Sequence, residues 1–359
     1  MKIYRQRKWK KIINKNFKKN KKKRISYINL IFKNFCILFL FIGIFVFNHI
    51  KKNHKLQNNI IFENNKSNKT QENKIIKETH IFKYYCCFCS MGKKENLYSR
   101  ELISYYMSLG VEKFVFGDNN LPNTEKLEDV LQDYIKNGTV DIIDIIGNPI
   151  GQSEFYGIMY EKYKEKCKWL TFFDFDEYLE MHFEKGKNIL LKEYLSNPIF
   201  ENCEAIEINW LMYGDNDLVY YDNRTSIERF TIPDYENYAN RFVKSIIRGK
   251  LNKKVFKPGE THHQPYKEVK ACDSLGKPAI FYPDCIIPPR FNYAYLKHFN
   301  TKTADEYADK IKRGYPGNHY ERIDERIELF FKYNEFTKEK LKVFEKKFNR
   351  TFLKYHGEN

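Results

Sequence analysis

The eleven residues from Trp169 to Leu179, W-L-T-F-F-D-F-D-E-Y-L, drive an aromatic and apolar run straight into three carboxylates. The stretch Trp169 to Phe173 has the composition of a strand buried on both faces, and Asp174, Asp176 and Glu177 arrive where such a strand would end. Ligand sites of open α/β sheets lie at that edge. Two aspartates one residue apart point to roughly the same side of an extended chain. Asp174 and Asp176 can therefore converge on one hard divalent cation while Phe175 packs the other way. An oxygen-rich site of this kind suits Mn²⁺ or Mg²⁺, and such a metal keeps positions open for phosphate oxygens, which makes a nucleotide diphosphate the natural third party. The spacing by itself is weak in a chain with 30% charged residues, and the apolar lead-in is what separates this pair from a solvated strand end. A phosphatase-type D-x-D-x-T/V nucleophile is the rival, but Tyr178 stands at the Thr/Val position and the segment lies mid-chain rather than on a first strand.

The formal charge of +17 suggests a nucleic-acid partner until it is located along the chain. Residues 1–55 hold seventeen Lys and Arg and no Asp or Glu, and the remainder is balanced at 46 basic and 46 acidic residues. The basic segment, residues 1–24, runs into the apolar stretch Phe35 to Phe47, with little aromatic interleaving of the kind that reads nucleic acid. Extended from Ile28 to Ile50 the stretch is long enough to cross a bilayer, with Lys33 near one end able to snorkel. This predicts a signal anchor over 25–50 and a cytosolic tail over 1–24. The protein would then be a single-pass type II membrane protein, in the Golgi or ER membrane if the host is a eukaryote. A cleaved signal peptide fits less well, because no small-x-small site follows Phe47. Residues 51–79, rich in Lys and Asn, read as a disordered stem. About 280 residues remain, enough for one large α/β domain.

The eight cysteines match no zinc pattern. Cys86, Cys87 and Cys89 lie in a strand-like run as small buried side chains, whereas Cys203, Cys272 and Cys285 have the option of pairing in an oxidising compartment. N-x-S/T sequons at Asn65, Asn68, Asn137, Asn223 and Asn349 exceed the roughly two expected by chance and agree mildly with a lumenal, glycosylated protein.

From Phe82 strand and helix patterns alternate. Strands are predicted at Phe82–Cys89, Lys113–Phe116, Val140–Ile146 and Ala205–Trp210. Helices are predicted at Glu95–Leu109, near Glu125–Lys136, at Ser153–Cys167, Thr303–Arg313 and Lys338–Phe352. Such alternation implies a mostly parallel sheet flanked by helices. The predicted organisation is a catalytic domain over 80–335 and a C-terminal helix over 336–359.

The pieces occur in an order that resembles glycosyltransferase family 92 and related nucleotide-sugar transferases of GT-A fold. The likeness runs from about residue 82 to 315. It rests on K-E-N-L-Y-S-R-E-L-I-S-Y-Y-M-S-L-G-V-E-K-F-V-F-G-D-N-N from Lys94, then on Gln152 and Tyr156 ahead of W-L-T-F-F-D-F-D-E-Y-L. I-N-W-L-M-Y-G around Trp210 and I-E-R-F at Ile227 follow. K-S-I-I-R at Lys244 and L-K-H-F-N-T-K-T with K-I-K-R-G from Leu296 to Gly314 complete the series. The resemblance implies transfer of a sugar, most often galactose from a UDP-sugar, to a glycan hydroxyl with inversion. It implies that Asp174 and Asp176 hold Mn²⁺ on the diphosphate, that Asp118 contacts the nucleotide, and that His298 completes the metal shell or touches the diphosphate. His298 is equally readable as an ordinary loop histidine, and the loop reading is favoured for His262 and His263.

An inverting transfer needs a base beside the acceptor hydroxyl. Asp215, Asp217 and Glu228 are the candidates, although the first two stand where the family pattern has small residues, and a surface-loop role is as reasonable for each. Trp210 reads as a sugar-stacking platform or as a buried core residue. Two other functions use the same features. One is a metal-dependent phosphoesterase, which would release phosphate without transfer. The other is an inactive, membrane-tethered glycan-binding protein, against which the intact acidic pair argues.

Overall fold

The computed structural model describes residues 82–356, apart from 148–149, 185–186, 188, 258, 260–265, 283–284 and 315–321. His262 and His263 lie outside the described residues. Four strands form the first half of a ten-stranded sheet: β1 (Tyr84–Gly92), β2 (Lys113–Asp118), β3 (Val140–Asp144) and β4 (Cys167–Phe172). They lie in the order β3-β2-β1-β4, all parallel. Helices α1 (Asn96–Ser108), α2 (Leu127–Lys136) and α3 (Gln152–Tyr163) make the crossovers. Alternation along each strand builds two cores. Phe88, Phe114, Phe116 and Trp169 pack with Leu102, Ile103 and Tyr106 of α1, while Cys87, Val115, Leu170 and Phe172 pack with Phe155, Met159 and Tyr163 of α3.

The second half is different. β5 (Glu177–Met181) leaves the acidic turn, and after α4 (Leu191–Leu195) come β6 (Ala205–Tyr213), α5 (Ser226–Arg229), β7 (Pro233–Asp234), β8 (Val243–Arg248), β9 (Ala271–Asp273) and β10 (Ala294–His298). β8 inserts antiparallel between β4 and β6, and β10 runs parallel to β6 and antiparallel to β5. The expectation of a mostly parallel sheet is thereby corrected. The architecture is α/β, but the sheet is mixed, because the chain returns from residue 205 onward through long-range antiparallel pairings that local alternation does not encode.

Helices α6 (Ala304–Arg313), α7 (Ile323–Tyr333) and α8 (Lys338–Phe348) gather Tyr307, Ile327, Phe330, Leu341 and Phe344 into a separate small core. α6 is capped at both ends by its own sequence. Thr303 and Glu306 form a reciprocal capping box, Asp305 and Glu306 occupy the first turn, and Lys310, Lys312 and Arg313 the last. Disulfides join Cys87 to Cys167 and Cys203 to Cys272, and Cys86, Cys89 and Cys285 are free and buried.

The expectation of a transmembrane helix ahead of the domain, with the membrane as a partner and a type II placement in the Golgi or ER membrane, is also corrected. Among the described residues no helix is long and apolar enough to cross a membrane. The segments that carried the expectation, 1–24, 25–50 and 51–79, lie outside the described residues.

Candidate active site

A cleft of about 670 Å³ opens beyond the C-terminal ends of β1, β2 and β4. Met91 and Lys93 line it from the end of β1, Asn119 from the end of β2, and Gln152 and Glu154 from the first turn of α3. Asp174, Phe175 and Asp176 form its floor, Trp210 and Met212 of β6 and His298 of β10 one wall, and Lys310 and Arg313 of α6 another.

Asp174 and Asp176 do not lie on an extended strand as their spacing suggested. β4 ends at Phe172, and residues 175 and 176 form a turn that reverses the chain into β5. Phe175 is buried against Phe116, with ring centroids 4.9 Å apart. Its ring comes so close to Gly92 that a Cβ there would stand 2.9 Å from it, so the glycine at the end of β1 makes room for the turn. The two carboxylates still reach the same cleft, each fixed by its own partners. Asp174 accepts from Gln152 Nε2 at 2.6 Å, from the Tyr156 hydroxyl at 3.2 Å and from Lys244 Nζ at 2.8 Å. Asp176 accepts from Lys310 Nζ at 2.8 Å, and its Oδ1 lies 3.6 Å from His298 Nε2. Burial alone would push the Asp176 carboxyl up, but Lys310, His298 and Lys302 outweigh it and hold it well below the usual carboxylate range. Glu177, fully buried, accepts from the Asp174 N–H at 2.9 Å. Burial pushes its carboxyl well above the usual range, with Lys244 opposing. Glu177 therefore shapes the acidic turn from behind.

The cationic surround was hidden in segments whose order was legible but whose contacts were not. Lys244 sits on β8 at the centre of the sheet, and burial lowers its affinity for a proton less than Asp174 and Glu177 raise it. Lys310 donates to the Asn300 carbonyl and side chain as well as to Asp176. Arg313 donates to Glu95 and to the Lys93 carbonyl. Lys302 is buried over the Tyr98 ring, and burial lowers its pKa. Arg326 and Tyr333 add a further cation and hydroxyl from α7. In sequence Lys310 and Arg313 belong to one charged helical segment, and their i,i+3 spacing on α6 is what turns them inward together.

The remaining expected site residues are placed elsewhere. Asp118 is buried at the end of β2, where its carboxylate accepts from the N–H groups of Asn120 at 3.0 Å and Leu127 at 2.8 Å. It holds the loop into α2, and its neighbour Asn119 lines the cleft. Asp215 is buried against Lys340 of α8 at 2.8 Å, and burial pushes its carboxyl up more than Lys340 draws it down. Asp217 is exposed, 3.3 Å from the same ammonium. Glu228 accepts from the Thr225 N–H and hydroxyl, capping α5. None of these last three is among the residues that line the cleft. Trp210 is almost fully buried, yet it lines the cleft with its ring 4.3 Å from that of His298.

Among the described residues no group of three or more His, Cys, Asp or Glu side chains is gathered as a metal cage. Asp176 Oδ1 and His298 Nε2 face the same cleft 3.6 Å apart, somewhat wider than the ~3 Å between adjacent donors about 2.1 Å from an octahedral cation. A cation of this type completes its shell with water and phosphate oxygens, so a full protein cage is not required.

The sequence model of Glycosyltransferase family 92 matches residues 82–356. The chain belongs to glycosyltransferase family 92. Membership places it among the nucleotide-sugar-dependent glycosyltransferases, with the cleft inside the matched region. Comparison with curated proteins gives no match. Among solved structures, this family 92 chain is similar to S. aureus TarS 1-349 at 10% identity and TM-score 0.26, covering 46% of this chain and 47% of that one. It is similar to S. aureus TarS at 12% identity and TM-score 0.35, covering 69% and 43%. The family 92 chain spans less than half the length of either.

Proposed function

We propose that this glycosyltransferase moves a sugar, galactose first among the candidates, from a UDP-sugar to a hydroxyl of a glycan, with inversion at the anomeric carbon. The observation that carries the reading is the meeting of Asp174 and Asp176 with Lys244, Lys310 and Arg313 at one cleft beyond the parallel strand ends. An acidic pair beside several cations is the environment a metal-bound diphosphate needs. Asp176 and His298, with Asp174 beside them, would hold Mn²⁺ or Mg²⁺, which would neutralise charge on the departing UDP. Lys310 and Arg313 stabilise the same negative charge directly, beside the apolar surface of Trp210, Met212 and Phe175. In the transfer, the acceptor oxygen forms a bond to the anomeric carbon as the bond to the diphosphate oxygen breaks, and the hydroxyl proton passes to a base. Asp215 and Glu228 are poorly suited to that role, since one is tied to Lys340 and the other to its helix cap.

The test is release of UDP by the full chain with a panel of UDP-sugars and Mn²⁺, alongside calorimetric titration of UDP with and without the metal. Turnover with one donor, and UDP binding that strengthens with Mn²⁺, support the reading. Folded protein that binds no UDP and turns over no donor rules it out, and release of inorganic phosphate instead moves the assignment to a phosphoesterase.

A further inference from the structure

Beside the Trp210 wall the chain builds a rigid loop whose outward residues are aromatic. It runs from β7 through a single 3₁₀ turn, Tyr238–Arg241, to β8. Buried amides hold it. Asn240 Nδ2 donates to the carbonyls of Asp234 at 2.8 Å and Tyr235 at 3.1 Å, while its Oδ1 accepts from the Met212 N–H at 2.8 Å. Asn209 Nδ2 reaches the carbonyls of Asn240 and Arg241, and Asn237 caps the turn through the Ala239 N–H. Asn209 and Asn240 thus fix the loop to β6, and Asn237 braces it from within.

What the loop displays is unusual for a clamped, polar-cored turn. Tyr235 and Tyr238 are each 60% exposed. The Arg241 guanidinium lies over the Tyr238 ring and fixes its plane, and Tyr235 meets Phe291 edge-on at 6.0 Å. An aromatic series connects this surface to the cleft. Tyr238 packs edge-on to Phe242 at 6.5 Å, Phe242 to Trp210 at 5.6 Å, and Trp210 meets His298 at 4.3 Å. Ala239, between the exposed Tyr238 and the clamp Asn240, itself lines the cleft. The platform therefore continues the cleft on the side of β6, opposite the strand ends of β1 and β2 where a nucleotide would sit.

We infer that Tyr235 and Tyr238 form an acceptor subsite, which holds a neutral oligosaccharide at a sugar unit removed from the one that receives the transferred group. Pyranose rings present flat C–H faces that stack on exposed aromatic rings, and the tyrosine hydroxyls supply hydrogen bonds at the ring edge. Tyrosine makes such contact at little entropic cost, and the amide clamp lowers it further. The exposed rings carry no charge, and Glu236, between the two tyrosines in sequence, is an exposed acidic side chain, so the platform favours an uncharged glycan over an anionic ligand. The subsite rests on the glycosyltransferase reading for its purpose, but its test does not depend on turnover.

The experiment titrates the full chain calorimetrically with neutral di- to pentasaccharides terminating in galactose, glucose, mannose or N-acetylglucosamine, and with the matching monosaccharides. The same titrations are run on Tyr238→Ala and Tyr235→Ala. Each variant is expected to weaken oligosaccharide binding by roughly threefold to tenfold, from the usual worth of an aromatic contact, and to leave monosaccharide binding and acceptor-free UDP release unchanged. Oligosaccharide affinity unchanged in both variants, or no oligosaccharide binding by the wild type, overturns the subsite. A loss of self-association in the variants instead assigns the patch to a second copy of the chain and overturns it as well. Absence of UDP-sugar turnover with intact, Tyr238-dependent glycan binding would fail the transferase reading while leaving the subsite standing.

Discussion

Asp174 and Asp176 follow β4, and Asp215 and Asp217 follow β6, so the chain writes the same acidic spacing beyond the ends of two strands of one sheet. Their environments diverge. The first pair draws on two lysines, Lys244 for Asp174 and Lys310 for Asp176, and both carboxylates border open volume. The second pair shares one lysine, Lys340, which fastens α8 to the end of β6 with no exposure of its own side chain. Asn216 and Asp217 take positive φ in a turn there, and the Asp215 N–H donates to Asn334 at the end of α7. What separates a ligand site from a structural tie is thus the space in front of the carboxylates, which the chain supplies at β4 by burying Phe175 behind them.

The largest effect that tests this contrast is on stability. Lys340→Met leaves Asp215 buried without its cation and is expected to cost about 3–5 kcal/mol in urea unfolding. Adding Asp215→Leu should restore much of that loss; a single variant as stable as wild type would remove the tie from the account. At the cleft, Lys310→Met is expected to cost less stability, about 1–2 kcal/mol, because Asp176 faces a space that water can enter. Its main consequence should be a donor KM raised about tenfold, through a lost charge-assisted contact to phosphate. Equal stability losses for the two lysines, with donor KM unmoved, would erase the distinction.

Glu207 sharpens the comparison from a third side. It is fully buried on β6, where it accepts from Ser245 Oγ at 2.9 Å, and among the described residues it has no ion-pair partner. Burial pushes its carboxyl up to about 8. A folded pKa above the unfolded value gives a contribution to stability that is fully present below about pH 4 and lost as pH rises through 8. Unfolding free energy measured from pH 5 to 9 should therefore fall more steeply in wild type than in Glu207→Gln, and parallel curves would contradict the assignment. The smallest effect is expected at Asp217, where Asp217→Asn should change stability by less than about 0.5 kcal/mol, since the side chain is exposed.

One side of this contrast is legible in the sequence. The apolar run into Asp174 and Asp176 marks a strand end in the interior of a sheet, because Trp169, Leu170, Phe172 and Phe173 have nowhere else to be buried. Helices α1 to α3 follow from their periodicity. β8 and β10 were not legible as strands, since their partners are β4, β5 and β6, distant in sequence, and their alternation is masked by Lys244, Lys297 and His298. α7 was missed because Ile323 to Tyr333 mixes acidic and aromatic residues without a flanking cap motif, and with it went Arg326 and Tyr333. Asp215 and Asp217 were offered as bases because spacing was visible and Lys340, more than a hundred residues on, was not.

The deciding measurement is UDP release by wild type, Asp176→Asn and Asp217→Asn at equal Mn²⁺ and UDP-sugar concentrations. Loss of about 100-fold or more in Asp176→Asn, with Asp217→Asn within about twofold of wild type, is the predicted result. Comparable losses in both variants, or none in Asp176→Asn, would contradict it.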